Sequence, residues 1–251
     1  MNCEKPLSIT ITSTPTVLNI AYWNLNDVNV NANVDQVSGD PVIVSTGFPF
    51  GSSSSSVPAL ISRGVQWDAT AFANGFDGLV YQQSNNIAYT GLGFSFAFWI
   101  NIKSGPIAFT SDTALFTYYP NIGDLTFKME WTGTPSTPGG GMLTLNASTF
   151  PFELPGLNAW HLCVLVMTAA GDISASIDGA PLTLLGNGGA MPAQPLATAQ
   201  LAIHLNIIFA GGTGPMYLTD EVAFFSGTLS DAQVAYLYNG GAGQTYPLTL
   251  P

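Results

Sequence analysis

A chain of 251 residues with 47% hydrophobic and only 8% charged side chains has ample material for a core and too few charges to coat its surface in the usual way. Its net charge of -11 arises because Lys5, Arg63, Lys103 and Lys128 are its only Lys and Arg residues; a phosphate backbone or an anionic membrane is repelled, which argues against nucleic-acid and lipid-surface binding. The length suits one β-sandwich domain, and the longest apolar stretch, 162–167, is too short to span a bilayer.

Residues 1–6 lack a basic segment followed by an apolar core, so the start of the chain does not read as a secretory signal. Ile9, Thr10, Ile11 and Thr12 alternate like a strand, and residues 1–17 are expected to form either a strand of the sandwich or an arm that augments a partner's sheet. The sandwich itself is expected over 18–251. Short alternating runs bounded by Gly, Pro, Asn and Ser then recur along the chain, the pattern of an all-β sandwich. Residues 48–57, with their serine run, read as a loop. Phe94, Phe96, Phe98 and Ile100 share one face of the next clear strand, with Ser95, Ala97 and Trp99 on the other. A second strand places Leu125, Phe127, Met129 and Trp131 opposite Thr126, Lys128 and Glu130. Both are expected to be half-buried. Loops follow at 134–141 and 186–195.

The apolar run Leu162 to Met167 reads as an inner strand carrying Cys163. That cysteine and the N-terminal Cys3 are read as free thiols, which fits synthesis in a reducing cytosol. Ile173, Ala175 and Ile177 alternate with serines up to Asp178-Gly179, a hairpin turn, and the next strand is expected near Leu182. Near the end, Leu218, Asp220, Val222 and Phe224 are expected on one strand face and Glu221, Ala223 and Phe225 on the other. Ser230 is an N-cap with Gln233 as its capping-box partner, Leu229 and Val234 form a hydrophobic staple, and Gly240-Gly241 supplies the left-handed stop of one short helix.

This ending resembles that of the laminin-G-like, concanavalin A-like jelly-roll family, whose domains close with a strand of the form apolar-Asp-Glu-Val, a Leu-Ser/Thr start and a short helix ending in Gly. The segments 21–27, 76–78, 95–100, 160–162 and 175–179 resemble the same family in the same order. The resemblance implies a two-sheet antiparallel jelly-roll sandwich with one short C-terminal helix, and it places Trp23, Trp99 and Trp160 in core-like motifs. It also implies a structural Ca2+ near the sandwich edge, with Asp27, Asp35, Asp40 and Asp220 as metal ligands. The alternative for these residues is solvated turn aspartates that cap their own backbone.

The related β-glucanases cut with carboxylates in a Glu-x-Asp-x-x-Glu pattern, and none of Glu4, Glu130, Glu153 and Glu221 begins one. Strand alternation would point Asp220 and Glu221 to opposite faces. A nucleophilic triad would need His161 or His204, and both sit in strand-like runs without a Gly-rich nucleophile turn. Glycoside hydrolysis is therefore the weakest reading, and the chain is expected not to be an enzyme. Sugar binding would use exposed aromatics. Tyr118 and Tyr119 are the candidate ligand-binding residues, with Tyr81, Trp67 and Trp131 as further candidates by type, although Trp131 falls on an apolar strand face.

The expected function is a structural or adhesion protein on the surface of a larger assembly, specifically a phage virion decoration or fibre protein made in the host cytoplasm, with glycan binding as a further property. Its expected partners are other structural proteins of that assembly or surface glycans, in a homo-oligomer or larger array. The alternative is a calcium-dependent carbohydrate-binding module or lectin, secreted or on a cell surface.

Overall fold

The computed structural model describes residues 17–27, 36–37, 54–67, 79–82, 93–102, 113–119, 127–131, 140–145, 148–153, 158–170, 172–183, 202–208 and 217–251. The expectations for residues 1–16, including the arm and Cys3, and for Asp35 and Asp40 lie outside them.

The strands are β1 (Leu18–Trp23), β2 (Ser54–Pro58), β3 (Arg63–Trp67), β4 (Leu79–Gln82), β5 (Phe94–Ile102), β6 (Thr113–Tyr119) and β7 (Phe127–Trp131). They continue as β8 (Gly140–Leu145), β9 (Ser148–Glu153), β10 (Trp160–Met167), β11 (Ile173–Ile177), β12 (Ala180–Pro181), β13 (Ala202–Ile208) and β14 (Tyr217–Ser226). One α-helix, α1 (Asp231–Tyr238), follows, and a 3-10 turn at Asn239–Gly241 ends the regular structure. The architecture is an all-β, two-sheet antiparallel jelly-roll sandwich with one short C-terminal helix among the described residues. One sheet has eight strands in the order β12-β11-β10-β5-β14-β3-β2, with β1 also pairing β14; the other has six, β4-β13-β6-β7-β8-β9. No described helix is long and apolar enough to cross a membrane.

Two loop expectations are corrected. The serine run is not all loop, because Ser54–Pro58 forms β2 on β3 at the rim of the large sheet. An edge strand needs only a backbone ladder on one side, so short polar side chains and a terminal proline suffice there. Likewise the strand β8 begins at Gly140, inside the expected 134–141 loop. The Asp178-Gly179 turn forms as expected, with φ of 54° and 79°. Because a two-residue turn reverses the chain at once, its second strand starts at Ala180 rather than near Leu182.

Strand β5 alternates as expected, but it is buried on both faces rather than half-buried. The second cover is the C-terminal helix. Ser95 Oγ donates to the Gly227 carbonyl (3.0 Å) and accepts from Leu229 N–H (2.9 Å), tying β5 to the link between β14 and α1. Tyr22, Ala97, Trp99, Leu162, Val164, Ala223 and Phe225 then form an apolar face on which Leu229, Val234 and Leu237 pack. Trp99 stacks on Tyr238 of the helix, with centroids 5.9 Å apart and planes 17° apart. The capping box is present: Ser230 Oγ accepts from Gln233 N–H and Gln233 Oε1 from Ser230 N–H. The left-handed stop comes one residue earlier than expected, at Asn239 (φ 46°), whose side-chain amide donates to the Gly243 carbonyl at 2.8 Å and so turns the tail back over the sheet.

Candidate functional site

The last strand carries two adjacent carboxyls, and strand alternation would separate them. Pairing of β14 with β5 runs from Asp220↔Trp99 to Ala223↔Ala97, so β14 holds one extra residue there. This is a β-bulge, and Glu221 sits in it with φ 47°, a conformation uncommon for a side chain with Cβ. The bulge corrects the expected face pattern. Leu218 and Asp220 lie with Ala223 and Phe225 on the helix-covered side, opposite Asn101, Trp99, Ala97 and Ser95, whereas Phe224 pairs with Phe96 on the other side. Glu221 also turns to the helix-covered side, where it lines a small pocket with Tyr22, Trp99, Leu162, Gln244 and Leu248.

Both carboxyls are buried, at 0% and 4% exposure. Asp220 Oδ2 accepts from Ile61 N–H (3.0 Å) and Oδ1 from Glu221 N–H (2.9 Å), so it clamps the turn between β2 and β3 to β14. Burial pushes its carboxyl up to about 7, while the hydrogen bonds from Ile61 and Glu221 pull it down. Glu221 Oε2 accepts from the Tyr22 hydroxyl, which also lies 3.2 Å from the Gln244 carbonyl. Glu221 Oε1 is buried with no hydrogen-bond partner among the described residues. Burial pushes this carboxyl up to about 8.

The same corner shows why glycine stands at position 64. A methyl group there would lie 2.6 Å from the Thr219 carbonyl oxygen and 2.8 Å from Ala59 Cβ. We therefore expect Gly64→Ala to force β3 away from β14 and to cost roughly 1–3 kcal/mol in a urea melt; an unchanged midpoint would contradict that close approach.

The expected metal ligands are distributed as follows. Asp27 is exposed just beyond β1, and Asp220 is the buried clamp described above. Beside Asp27, Asn26 Oδ1 accepts from Arg63 N–H at the start of β3, at 2.9 Å. Gln36 N–H donates to the Tyr22 carbonyl at 2.7 Å, which holds Gln36 alongside β1. Among the described residues there is no cluster of three His, Cys, Asp or Glu side chains fit to hold a metal. Tyr118 and Tyr119 lie on β6, opposite Ile203 and Ala202, with side chains outside the described set. Tyr81, Trp67 and Trp131 also fall on strands, β4, β3 and β7.

His161 Nδ1 lies 2.7 Å from Asp178 Oδ2, and Asp178 Oδ1 accepts from Leu162 N–H, so this pair holds the β11–β12 turn against β10. Cys163 is a free, buried thiol. Burial and then the Asp178 charge push its ionisation far up, which keeps it protonated and unsuited to nucleophilic work. Nor can Asp220 and Glu221 flank a glycosidic bond. The reason is burial rather than the expected opposite orientation: Asp220 is fully buried, and the pocket that Glu221 lines has room for about one water, not a sugar ring.

Two residues escaped the sequence reading. Glu221 was set aside by the alternation that the bulge breaks. Tyr246 is the one exposed aromatic ring among the described side chains, 37% exposed, and packs on Tyr22 with centroids 5.3 Å apart. Its signal in the sequence is an aromatic followed by proline in a segment without periodicity.

No family model matches the sequence, and no curated protein is similar to it. Solved structures share the fold. The binding domain of Paraclostridial Mosquitocidal Protein 1 is similar with a TM-score of 0.60 at 11% identity, over 89% of this chain and 52% of that one. Domain 4 of AbnA, a GH43 extracellular arabinanase from Geobacillus stearothermophilus solved in complex with arabinotriose, is similar with a TM-score of 0.59 at 14% identity, over 91% of this chain and 99% of that one. A Trypanosoma rangeli sialidase is similar with a TM-score of 0.59 at 16% identity, over 90% of this chain and 33% of that one. This chain thus spans about half the length of the mosquitocidal-protein domain and a third of the sialidase. At these identities the likeness carries the fold alone, the two-sheet all-β sandwich.

Proposed function

We propose that this chain is a non-catalytic, glycan-binding structural protein, a laminin-G-like sandwich displayed on the outside of a larger assembly such as a phage virion. The observation that supports the binding part is the likeness to the arabinanase domain, because it extends over 99% of a domain that was solved in complex with arabinotriose. Burial of the one adjacent carboxyl pair among the described residues supports a role without hydrolysis. The assembly part is supported by composition: 8% charged residues leave a neutral surface suited to packing against structural neighbours. Residues 1–17 serve in this reading as an arm or added strand toward such a neighbour, with the domain running from 18 to 251.

A second reading, a calcium-dependent lectin, is favoured by one corner of the sandwich. There β1 pairs with β14, and Gln36 is tied to the strand that leads to Asp27. A hard cation at this corner would draw on Asp27 with Asp35 and Asp40, over the clamp made by Asp220. A glycan array on the purified protein, run in calcium and again in chelator, tests both readings. Binding in both conditions supports the first, and loss in chelator supports the second. Silence in both, with the protein folded, removes glycan binding and leaves an architectural role.

A further inference from the structure

A protein that recognises neutral sugars needs a flat apolar ring face for the C–H side of the sugar and a polar atom beside it that will take a hydroxyl proton. At the C-terminal tail, Tyr22 lies between such a pair, touching the Tyr246 ring on one side and the Glu221 carboxyl through its hydroxyl. The ring of Tyr246 rests on buried Tyr22 at 5.3 Å, which fixes one side of it and leaves 37% of the residue exposed. Residues on either side of it in the chain, Gln244 and Leu248, line the small pocket into which Tyr22 and Glu221 also face. Glu221 is 96% buried by its 4% exposure, yet its Oε1 has no hydrogen-bond partner among the described residues. An acceptor left unmet in such a place is costly, and a donor that fits relieves the cost. The room available, about that of one water, admits a single hydroxyl and not a ring.

We propose that the C-terminal tail is a saccharide subsite, in which a neutral sugar ring stacks on the outer face of Tyr246 and one of its hydroxyls enters the pocket to share a hydrogen bond with Glu221 Oε1. The subsite rests on the glycan-binding reading given above and names where that binding occurs. It differs in place from Tyr118 and Tyr119, which lie on β6 of the other sheet. The selectivity follows from the geometry. The ring must offer an apolar face, and it must carry a free hydroxyl beside that face, so a sugar methylated at this hydroxyl is rejected. An anionic sugar is disfavoured by the net charge of -11.

The test is calorimetric titration with a panel of neutral trisaccharides of glucose, galactose, xylose and arabinose, on the wild type, Tyr246→Ala, Tyr246→Phe and Glu221→Gln, each checked for folding by circular dichroism. For the trisaccharide that the wild type binds best, Tyr246→Ala is expected to weaken binding about tenfold or more and Tyr246→Phe by less than about threefold, since the ring face is kept. Glu221→Gln is expected to fall between them. Wild-type affinity in folded Tyr246→Ala would overturn the subsite while leaving glycan binding intact elsewhere on the protein. An equal loss in Tyr246→Phe and Tyr246→Ala would also overturn it, because stacking does not require the hydroxyl. Absence of binding by the wild type to every member of the panel and to a glycan array would overturn both the subsite and the reading beneath it.

Discussion

Trp99→Ala is expected to lower the unfolding free energy by about 3–5 kcal/mol, the largest effect of any single substitution on the helix-covered face. Trp99 is 2% exposed, lies opposite Asp220 in the ladder, and stacks on Tyr238 of α1. An eight-residue helix has no stability of its own in water, so its position depends on the apolar face that it covers. Removing the indole leaves a cavity beneath both the helix and the returning tail. The surrounding β5, β10 and β14 form the middle of a continuous ladder and cannot collapse to fill it. Urea unfolding followed by far-ultraviolet circular dichroism measures the loss. Native-state hydrogen exchange should show the amides of α1 losing protection before those of β10. A loss below about 1 kcal/mol, with α1 still protected, would mean that the helix is held by something other than this contact.

The second large effect concerns the proton on Glu221. In the unfolded chain this carboxyl has its ordinary value of 4.5, and in the folded protein it is pushed up to about 8. Between those values the folded state holds a proton that the unfolded state has released. The contribution is fully present below the unfolded value and is lost as pH rises toward 8. Asp220 acts in the same sense between its ordinary 3.8 and about 7. Wild-type stability should therefore fall from pH 5 to pH 8.5. Glutamine at 221 keeps the shape and a hydrogen bond to Tyr22 without the ionisation, so Glu221→Gln should match the wild type near pH 5 and exceed it by roughly 2–4 kcal/mol near pH 8.5. Because Asp220 is common to both proteins, it largely cancels in the difference. Thermal melts of the two proteins at both pH values decide the matter; parallel curves would show that Glu221 titrates like an exposed carboxyl.

The parts of the fold that were legible are those written in local patterns. The alternation of Phe94 to Ile100, the Asp178-Gly179 turn, the Ser230–Gln233 box and the Leu229–Val234 staple each depend on residues close in sequence, and each appears in the structure. The bulge was not legible, because its conformation is marked in sequence by glycine or asparagine and here the residue is a glutamate. That single misread residue reversed the relation between the two carboxyls. The burial of both faces of β5 was also hidden, since it comes from a tail more than a hundred residues away. The same separation hid Tyr246, whose partner Tyr22 lies at the far end of the chain. Asp220, expected as a metal ligand, makes described bonds that are those of a clamp on the β2–β3 turn.

The measurement that bears most directly on non-catalytic glycan binding is a calorimetric titration with the strongest saccharide from the array, followed by chromatography of that saccharide after prolonged incubation with the protein. Saturable binding with the saccharide recovered at its original length is the predicted result. Shortened products, or no saturable heat with any saccharide, would contradict it.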